Sequence, residues 1–525
     1  MYSIAEKRLS RLIDSGSGGL LASGLIGLEK ETLRVMLDGT LAQTPHPVAL
    51  GSPLTHPHIT TDYSEALTEI VTPPCETITA VLDFLRDTQC FVYENLGDEL
   101  LWATSMPCVV AGETSIPIAK YGSSNPGQMK TVYRRGLGQR YGRVMQIIAG
   151  VHFNYSFTEA FWPLFQEIEK DSRPLQNFID DSYFALIRNL QRFGWLVPYL
   201  FGASPAVCKS FLGKTETDLE DFDADTYYQP YATSLRMGDI GYQNNKGSIV
   251  GVKASYDNLD AYIESLSRAT ETACAEYEKL GVVVNGRYQQ LNANILQIEN
   301  EYYSTIRPKQ LVDSFEKPGH ALKHRGVRYV ELRSIDVNAF EPLGINDRQL
   351  RFLEAFLIFC QLHESPVIGA DERDHIDHNE LVAAHRGRDP QLKLNRGSEK
   401  ILLCDWSKEI IDAMTGICEL LDKDLPEKPY STSLAAQRDK AHDADFTPSA
   451  RMLEVMRREG EGFFHFAMRM SQQHQAYFSS CDLGAERRTM FTRLTEESLA
   501  RQKTMEAEND ESFADYLARY FAQSV

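Results

Sequence analysis

The stretch GLEKETLRV, Gly27 to Val35, decides how the rest of the chain is read. Its alternation predicts a β-strand, in which side chains two apart share a face, so Glu29 and Glu31 stand together on one side of a sheet. Adjacent carboxylates repel, and such a pair is either solvated or held by something positive. Two further stretches show the same period. In GVHFNYSF (150–157) one strand face carries His152, Asn154 and Ser156 and the other Val151, Phe153 and Tyr155. In YVELRSID (329–336) Glu331 and Arg333 share a face. QQLNANILQIEN (289–300) also reads as a strand.

A second acidic group lies in HITTDYSEALTEIVTPP (58–74), with Asp62, Glu65 and Glu69. Their i, i+3, i+7 spacing fits one stripe of a helix, while TEIVTPP fits a strand ending at prolines, and the pattern leaves both open. Several strands each presenting a carboxylate or histidine would form an oxygen-rich pocket suited to hard cations such as Mg²⁺ or Mn²⁺. Opposite polarity comes from MKTVYRRGLGQRYG (129–142) and the Arg143 that follows it, which gather Lys130, Arg134, Arg135, Arg140 and Arg143 with Tyr133 and Tyr141. YYQPYATSLRMGDIGY (227–242) sets Arg236 among tyrosines. Arginine suits a two-pronged grip on carboxylate or phosphate. A plain surface basic patch has the same composition.

Composition sets the frame. The 525 residues are 43% hydrophobic and 24% charged, as in a folded globular protein, and exceed the usual size of one compact core. A net charge of −19 argues against general affinity for nucleic acid or anionic membrane. No run reaches the length of a membrane-spanning helix, and MYSIAEKRLSRLIDSG has charges where a signal peptide would be apolar, so a cytoplasmic protein is expected. Nine scattered cysteines without a C-x-x-C pair exclude the usual zinc and thioredoxin spacings and read mostly as buried thiols.

Along the chain, residues 2–13 read as a helix stopped by DSGSGG, and the first 350 residues mix strands with helices, an α+β pattern. RQLRFLEAFLIFCQL (348–362) reads as a buried helix and HRGRDPQLKLNRGSEK (385–400) as a polar connection. Residues 407–423, 449–478 and 494–521 read as amphipathic or charged helices. The division expected is a catalytic domain over 1–375 and a helical region over 376–525 packed on it.

Several motifs fail. Gly213-Lys214-Thr215 ends like a P-loop, but Cys208 stands where its first glycine belongs. GSGGLLASG lacks dinucleotide-binding spacing, His375 and His378 in DERDHIDHNE read as a solvated face, and neither G-x-S-x-G nor H-E-x-x-H occurs.

GLEKETLRV, ITTDYSEALTEIVTP, AGVHFNYSF, RFGWLVPYLFGASPAVC, PYATSLRMGDIGY, LQIENEYYSTIRPK and YVELRSIDVNAF, in that order, closely resemble the proteobacterial type of glutamate–cysteine ligase. The resemblance runs from about residue 20 to 360. It implies a curved, largely antiparallel sheet like the catalytic domain of glutamine synthetase, surrounded by helices. It also implies a Mg²⁺-dependent reaction in which ATP and L-glutamate form γ-glutamyl phosphate, which the amino group of L-cysteine attacks to open glutathione synthesis. Carried over by motif, Glu29, Glu31, Asp62, Glu69, His152 and Glu331 would bind metal, with Arg333 on the transferring phosphoryl group and Arg236 on the glutamyl carboxylate or acyl phosphate. Tyr133, Leu137, Tyr242 and Tyr303 would form the cysteine pocket, with Arg134 on the incoming carboxylate and Asn154 on the glutamate side. Where the family has phenylalanine in that pocket, this chain has Tyr63. Feedback inhibition by glutathione and a monomeric state are expected. The competing readings are a ligase joining glutamate to another amine, which shares the metal and ATP motifs, and a catalytically silent sensor, which would lack a metal carboxylate or Arg333.

Overall fold

The computed structural model describes residues 2–213, 215–241 and 253–523. Its centre is a seven-stranded, entirely antiparallel sheet: β1 (Leu25–Val35), β2 (Ile59–Thr61), β3 (Leu67–Val71), β4 (Leu100–Leu101), β5 (Gly150–Ser156), β6 (Ile306–Lys309) and β7 (Tyr329–Asp336). The order is β6-β7-β5-β1-β3-β2, with β4 paired to the end of β1. The expected α+β class with an antiparallel sheet holds.

One face of the sheet is core. Ile26, Leu28, Val151, Phe153, Tyr155, Val330 and Leu332 are almost completely buried. Helices α2 (Ile78–Glu94) and α4 (Leu175–Phe193) lie on this face. Helix α5 (Asp347–Leu362), opened by a capping box between Asn346 and Gln349, packs on α2 and α4 and in turn on α1 (Ser3–Asp14) and α7 (Pro429–His442). Sandwiched between layers, α5 is buried nearly all round, which is how its sequence reads. α6 (Ala370–Arg386), α8 (Phe463–Ser479), α9 (Ala485–Ala507) and α10 (Phe513–Phe521) complete the helices used below. Among the described residues no helix is long and apolar enough to cross a membrane.

β1 is polar on both faces. Away from the carboxylates, Lys30 donates to Gln89 (2.9 Å), Thr32 to the Trp102 carbonyl (3.0 Å), and Arg34 to Glu99 (2.6 Å) and the Glu65 carbonyl (2.9 Å), all buried. Each of these three buried side chains thereby has a partner, although Arg34 Nε itself donates to none.

Several expectations are corrected. Residues 289–300 are not a strand: Gln290, Asn292 and Gln297 are consumed by side-chain hydrogen bonds, Gln290 accepting from Arg140 (3.0 Å) and Gln297 from the Leu291 N–H (3.0 Å), so no ladder forms. The polar connection contains a hairpin, Lys393–Arg396 with Glu399–Leu402, turned at Gly397, whose φ of +59° suits glycine. The open choice at TEIVTPP falls to strand β3. Cys108 and Cys208 form a disulfide, which the sequence did not announce, and the other seven cysteines are free.

A second, smaller apolar cluster lies apart from the main core. Met129, Val132 and Leu291 meet Tyr516, Leu517 and Tyr520 of α10.

Candidate active site

The face of the sheet opposite the core carries the chemistry. Antiparallel register sets Glu29 opposite His152, Glu31 opposite Glu69, and Glu331 opposite both Asn154 and Arg307. Four strands thus bring acids separated by three hundred residues onto one surface. Arg333, two residues on from Glu331, shares its face, and the register between β7 and β5 shifts between Leu332 and Ile335.

His152 is the hub. Its Nδ1 lies 3.0 Å from Glu29 and 3.6 Å from Glu331, and its Nε2 lies 3.8 Å from Glu31. Ligand atoms of Glu29, His152 and Glu331 all lie within 4.8 Å of one another. Arg333 donates to Glu331 at 3.0 Å, Asn154 donates through Nδ2 to Glu29 at 3.0 Å, and Glu31 accepts from the Gly150 N–H at 2.7 Å.

The acids respond differently to this crowding. Burial tends to raise Glu331, but Lys309, Arg333, His152 and Arg307 outweigh it and hold the carboxyl well below the ordinary range. Burial raises Glu69 well above it, and Glu29, Asp62 and Glu31 add to the rise. Glu31 is raised by burial as well, offset mainly by His152. Two acceptors remain without a donor: the buried Asn154 Oδ1 and the Glu331 Oε2 accept no hydrogen bond, although Lys309 Nζ stands 3.4 Å from the latter. Buried oxygens lacking donors, among surplus carboxylates, suit a hard divalent cation.

Beside the acids opens a cavity of about 120 Å³. Glu31, Asp62 and Arg333 form its polar side, and Tyr63, Tyr133, Leu137, Met145 and Tyr303 much of the rest. Tyr133, Arg134 and Leu137 come from α3 (Asn125–Tyr141), capped by Ser124 with Pro126 in its first turn. Tyr63 is buried and its hydroxyl has no hydrogen-bond partner. Arg134 is committed to the backbone carbonyls of Asp62 and Thr61 and lies over the Tyr121 ring, 4.7 Å from its centre. Arg236 is buried, donating to the Arg333 carbonyl at 2.8 Å with Asp336 at 3.6 Å, and so lies behind Arg333. Tyr242 lies outside the described residues, as does Lys214 of the discarded P-loop.

The rest of the basic cluster is structural. Arg140 and Glu301 form a fully buried pair at 2.8 Å, with Gln290 and two backbone carbonyls taking the remaining Arg140 donors. Glu65 leaves the acidic group to accept the N–H groups of His46 (2.9 Å) and Lys120 (2.8 Å). The sequence reading missed Arg307 and Lys309 on edge strand β6, which share the face of Glu331, and Glu301, which lines the cavity. Their signal was present: in IRPK, Arg307 and Lys309 alternate like Glu29 and Glu31.

A family profile described as glutamate–cysteine ligase matches residues 9–382. The chain belongs to the glutamate–cysteine ligase family. A relative from Alcanivorax borkumensis bearing that name is 47% identical over 98% of this chain and 99% of its own length. One from Pseudomonas aeruginosa is 46% identical over 99% and 98%. Among solved structures, a crystal structure of the glutamate–cysteine ligase of Francisella tularensis in complex with AMP aligns with a TM-score of 0.88 at 38% identity, covering 95% of this chain and 97% of that one. A bifunctional glutathione synthetase from Pasteurella multocida shares the fold, with a TM-score of 0.68 at 21% identity over 92% of this chain and 57% of that one. The acidic face just described, from Glu29 to Glu331, lies wholly within the residues that match the family.

Proposed function

We propose that the acidic sheet face and the adjoining cavity together join L-glutamate to L-cysteine at the expense of ATP, the first step of glutathione synthesis. The γ-carboxylate of glutamate takes the terminal phosphoryl group of ATP, releasing ADP. The amino group of cysteine then attacks the acyl carbon, the C–O bond to phosphate breaks, and phosphate leaves as γ-glutamylcysteine forms. The convergence of Glu29, His152 and Glu331 with Arg333 at 3.0 Å carries this reading.

Two groups of ligands suit Mg²⁺ or Mn²⁺: Glu29, His152 and Glu331, and, across the sheet, Glu31, Glu69 and Asp62. Bound there, the cation supplies neutralisation of the phosphate oxygens and a fixed line of approach. The chain's own residues do the rest. Arg333, held at the register break, offers the transferring group a fixed positive charge. Arg236 fixes the Arg333 backbone and aids the glutamyl end. Lys309, on the same face, extends the positive charge toward the leaving ADP. Asn154, its amide nitrogen tied to Glu29, turns its carbonyl toward the amino group of glutamate. Tyr133, Leu137, Tyr63 and Tyr303 wall the acceptor, with Arg134 at its carboxylate end. The enzyme is taken to act as a cytoplasmic monomer. Glutathione, which contains the product, would inhibit by occupying the glutamate and cysteine positions, and inhibition noncompetitive with glutamate would sink this shared-site version.

The test is ADP release with ATP, Mg²⁺ and glutamate, alone and with cysteine, 2-aminobutyrate or serine. Cysteine-stimulated ADP release with a γ-glutamylcysteine mass is expected. Stimulation by another amine alone reassigns the pocket, and silence with every acceptor in a folded, ATP-binding protein overturns the reading.

A further inference from the structure

Helix α3 supplies one wall of the acceptor cavity through Tyr133, Arg134 and Leu137, and it is held from two sides by different parts of the chain. Its C-terminal half is fixed from within the body: Arg140 pairs with Glu301, Tyr141 donates to Glu301 at 2.8 Å, and Gln297 donates to the Tyr133 carbonyl at 3.2 Å. A Cβ at Gly136 would collide with the Gln297 amide, so helix and segment are in direct contact.

Its N-terminal half is held by the last residues of the chain. The Ser123 N–H donates to Glu506 (2.8 Å), the Asn125 N–H to the Asn509 side chain (2.9 Å), and the Asn125 amide to the Glu511 carbonyl (3.0 Å). From there α10 lays Tyr516, Leu517 and Tyr520 against Met129 and Val132 of α3. The same tyrosines, with Phe513 and the end of the helix, also grip the segment that carries Glu301 and Tyr303 into the cavity. Tyr516 and Tyr520 stack edge-on against Phe315, Phe513 against Tyr288, and Lys317 donates to the Phe521 (3.1 Å) and Gln523 (2.8 Å) carbonyls. α9, which leads into this clasp, is anchored to the body through Ser498 and Thr55 (2.6 Å).

We propose that α10 is a clasp that sets the spacing between the two walls of the acceptor cavity, and so determines affinity for the amine substrate rather than the stability of the body. The inference rests on placing the acceptor around Tyr133. The apolar cluster that α10 completes is separate from the main core, so loosening it costs the core little. Misplacing a wall by a fraction of an ångström weakens only what binds against that wall.

The experiment uses the full chain with Leu517→Ala, Asn509→Ala and, as a conservative control, Leu517→Met. Steady-state kinetics are measured for cysteine, glutamate and ATP, with melting curves alongside. Leu517→Ala and Asn509→Ala should each raise the KM for cysteine, by roughly tenfold for the former, with the KM for ATP unchanged within about twofold and the main melting transition within about 2 °C. Leu517→Met should restore the parent KM. An unchanged cysteine KM in both variants overturns the clasp. So does a parallel loss of all three KM values together with the melting temperature, which is the signature of a merely structural element. Tyr133→Ala separates the two readings. If it leaves the cysteine KM unchanged, the acceptor has been misplaced; if it raises that KM while the α10 variants do not, the pocket stands and the clasp falls.

Discussion

Glu69 and Glu331 stand on the same sheet face, both assigned to metal, yet neutralising them should move stability in opposite directions. Glu331 is paired with Arg333 (3.0 Å) and Lys309 (3.4 Å), and Glu331→Gln leaves both cations beside a neutral amide in a buried setting. Breaking such a pair costs about 3–5 kcal/mol. Glu69 is half-buried opposite Glu31, makes no ion pair to a cation among the described residues, and is raised in pKa by burial and then by Glu29, Asp62 and Glu31. Two carboxylates about 5 Å apart repel by about 3 kcal/mol at an effective dielectric of 20, and partial protonation and nearby water reduce the net relief to about 1 kcal/mol. For a chain of 525 residues the unfolding entropy is about 1.1 kcal/mol per kelvin. Without divalent ions, Glu331→Gln should therefore melt about 3–4 °C lower than the parent, and Glu69→Gln about 1 °C higher. Mg²⁺ at a hundredfold excess over its dissociation constant adds about 2.7 kcal/mol, or about 2.5 °C, to the parent. Both variants should lose most of that increment and at least about a hundredfold in kcat. Calorimetry with chelator and then with Mg²⁺ reads all of these shifts. The reasoning fails if Glu69→Gln melts as low as Glu331→Gln in chelator, or if the Mg²⁺ increment survives in both.

Other outcomes follow from single buried groups. Tyr63→Phe removes a hydroxyl without a partner, so the variant should be at least as stable as the parent and should shift the ratio of kcat/KM for cysteine over 2-aminobutyrate; a loss of about 1 kcal/mol or more in urea unfolding would show a partner for that hydroxyl. Arg140→Met strands Glu301 in a fully buried pair and should cost about 3–5 kcal/mol, whereas Arg140→Met with Glu301→Leu should recover much of it; an additive double variant would contradict the pairing. Glu354, between α5 and α7, accepts from Tyr430 at 2.5 Å, and burial pushes its carboxyl up to about 7. The native state then holds a proton that the unfolded chain releases near pH 4.5, so this contribution to stability is whole below about pH 4.5 and is lost as pH rises through about 7. Glu354→Gln should melt close to the parent at pH 5 and higher by up to about 3 °C at pH 8, and parallel melting curves across that range would contradict it.

What could be read from the sequence was whatever a period of two could place. GLEKETLRV and GVHFNYSF gave their faces because a strand shows one side chain in two to each side, and the register then brought Glu29 to His152 without further information. Glu331 and Arg333 followed the same rule, but the shift in register between Leu332 and Ile335 is a feature that alternation does not reveal. Arg140 was legible as a cation and illegible as a structural one, because its partners Glu301 and Gln290 lie 161 and 150 residues away in a segment whose glutamines and asparagines look like an alternating strand.

The C-terminal helices mark the other limit. Amphipathic periodicity shows that a helix buries a face, but it does not name the surface it buries against. Tyr516, Leu517 and Tyr520 could as well have met a second chain. The partner became visible only when Met129 and Val132 of α3 were found presenting the complementary face beside the acceptor walls. The sheet can therefore be specified locally and still be incomplete as an enzyme: strand register fixes where phosphoryl chemistry occurs, whereas the space left for the amine is fixed by a helix nearly four hundred residues further along the chain.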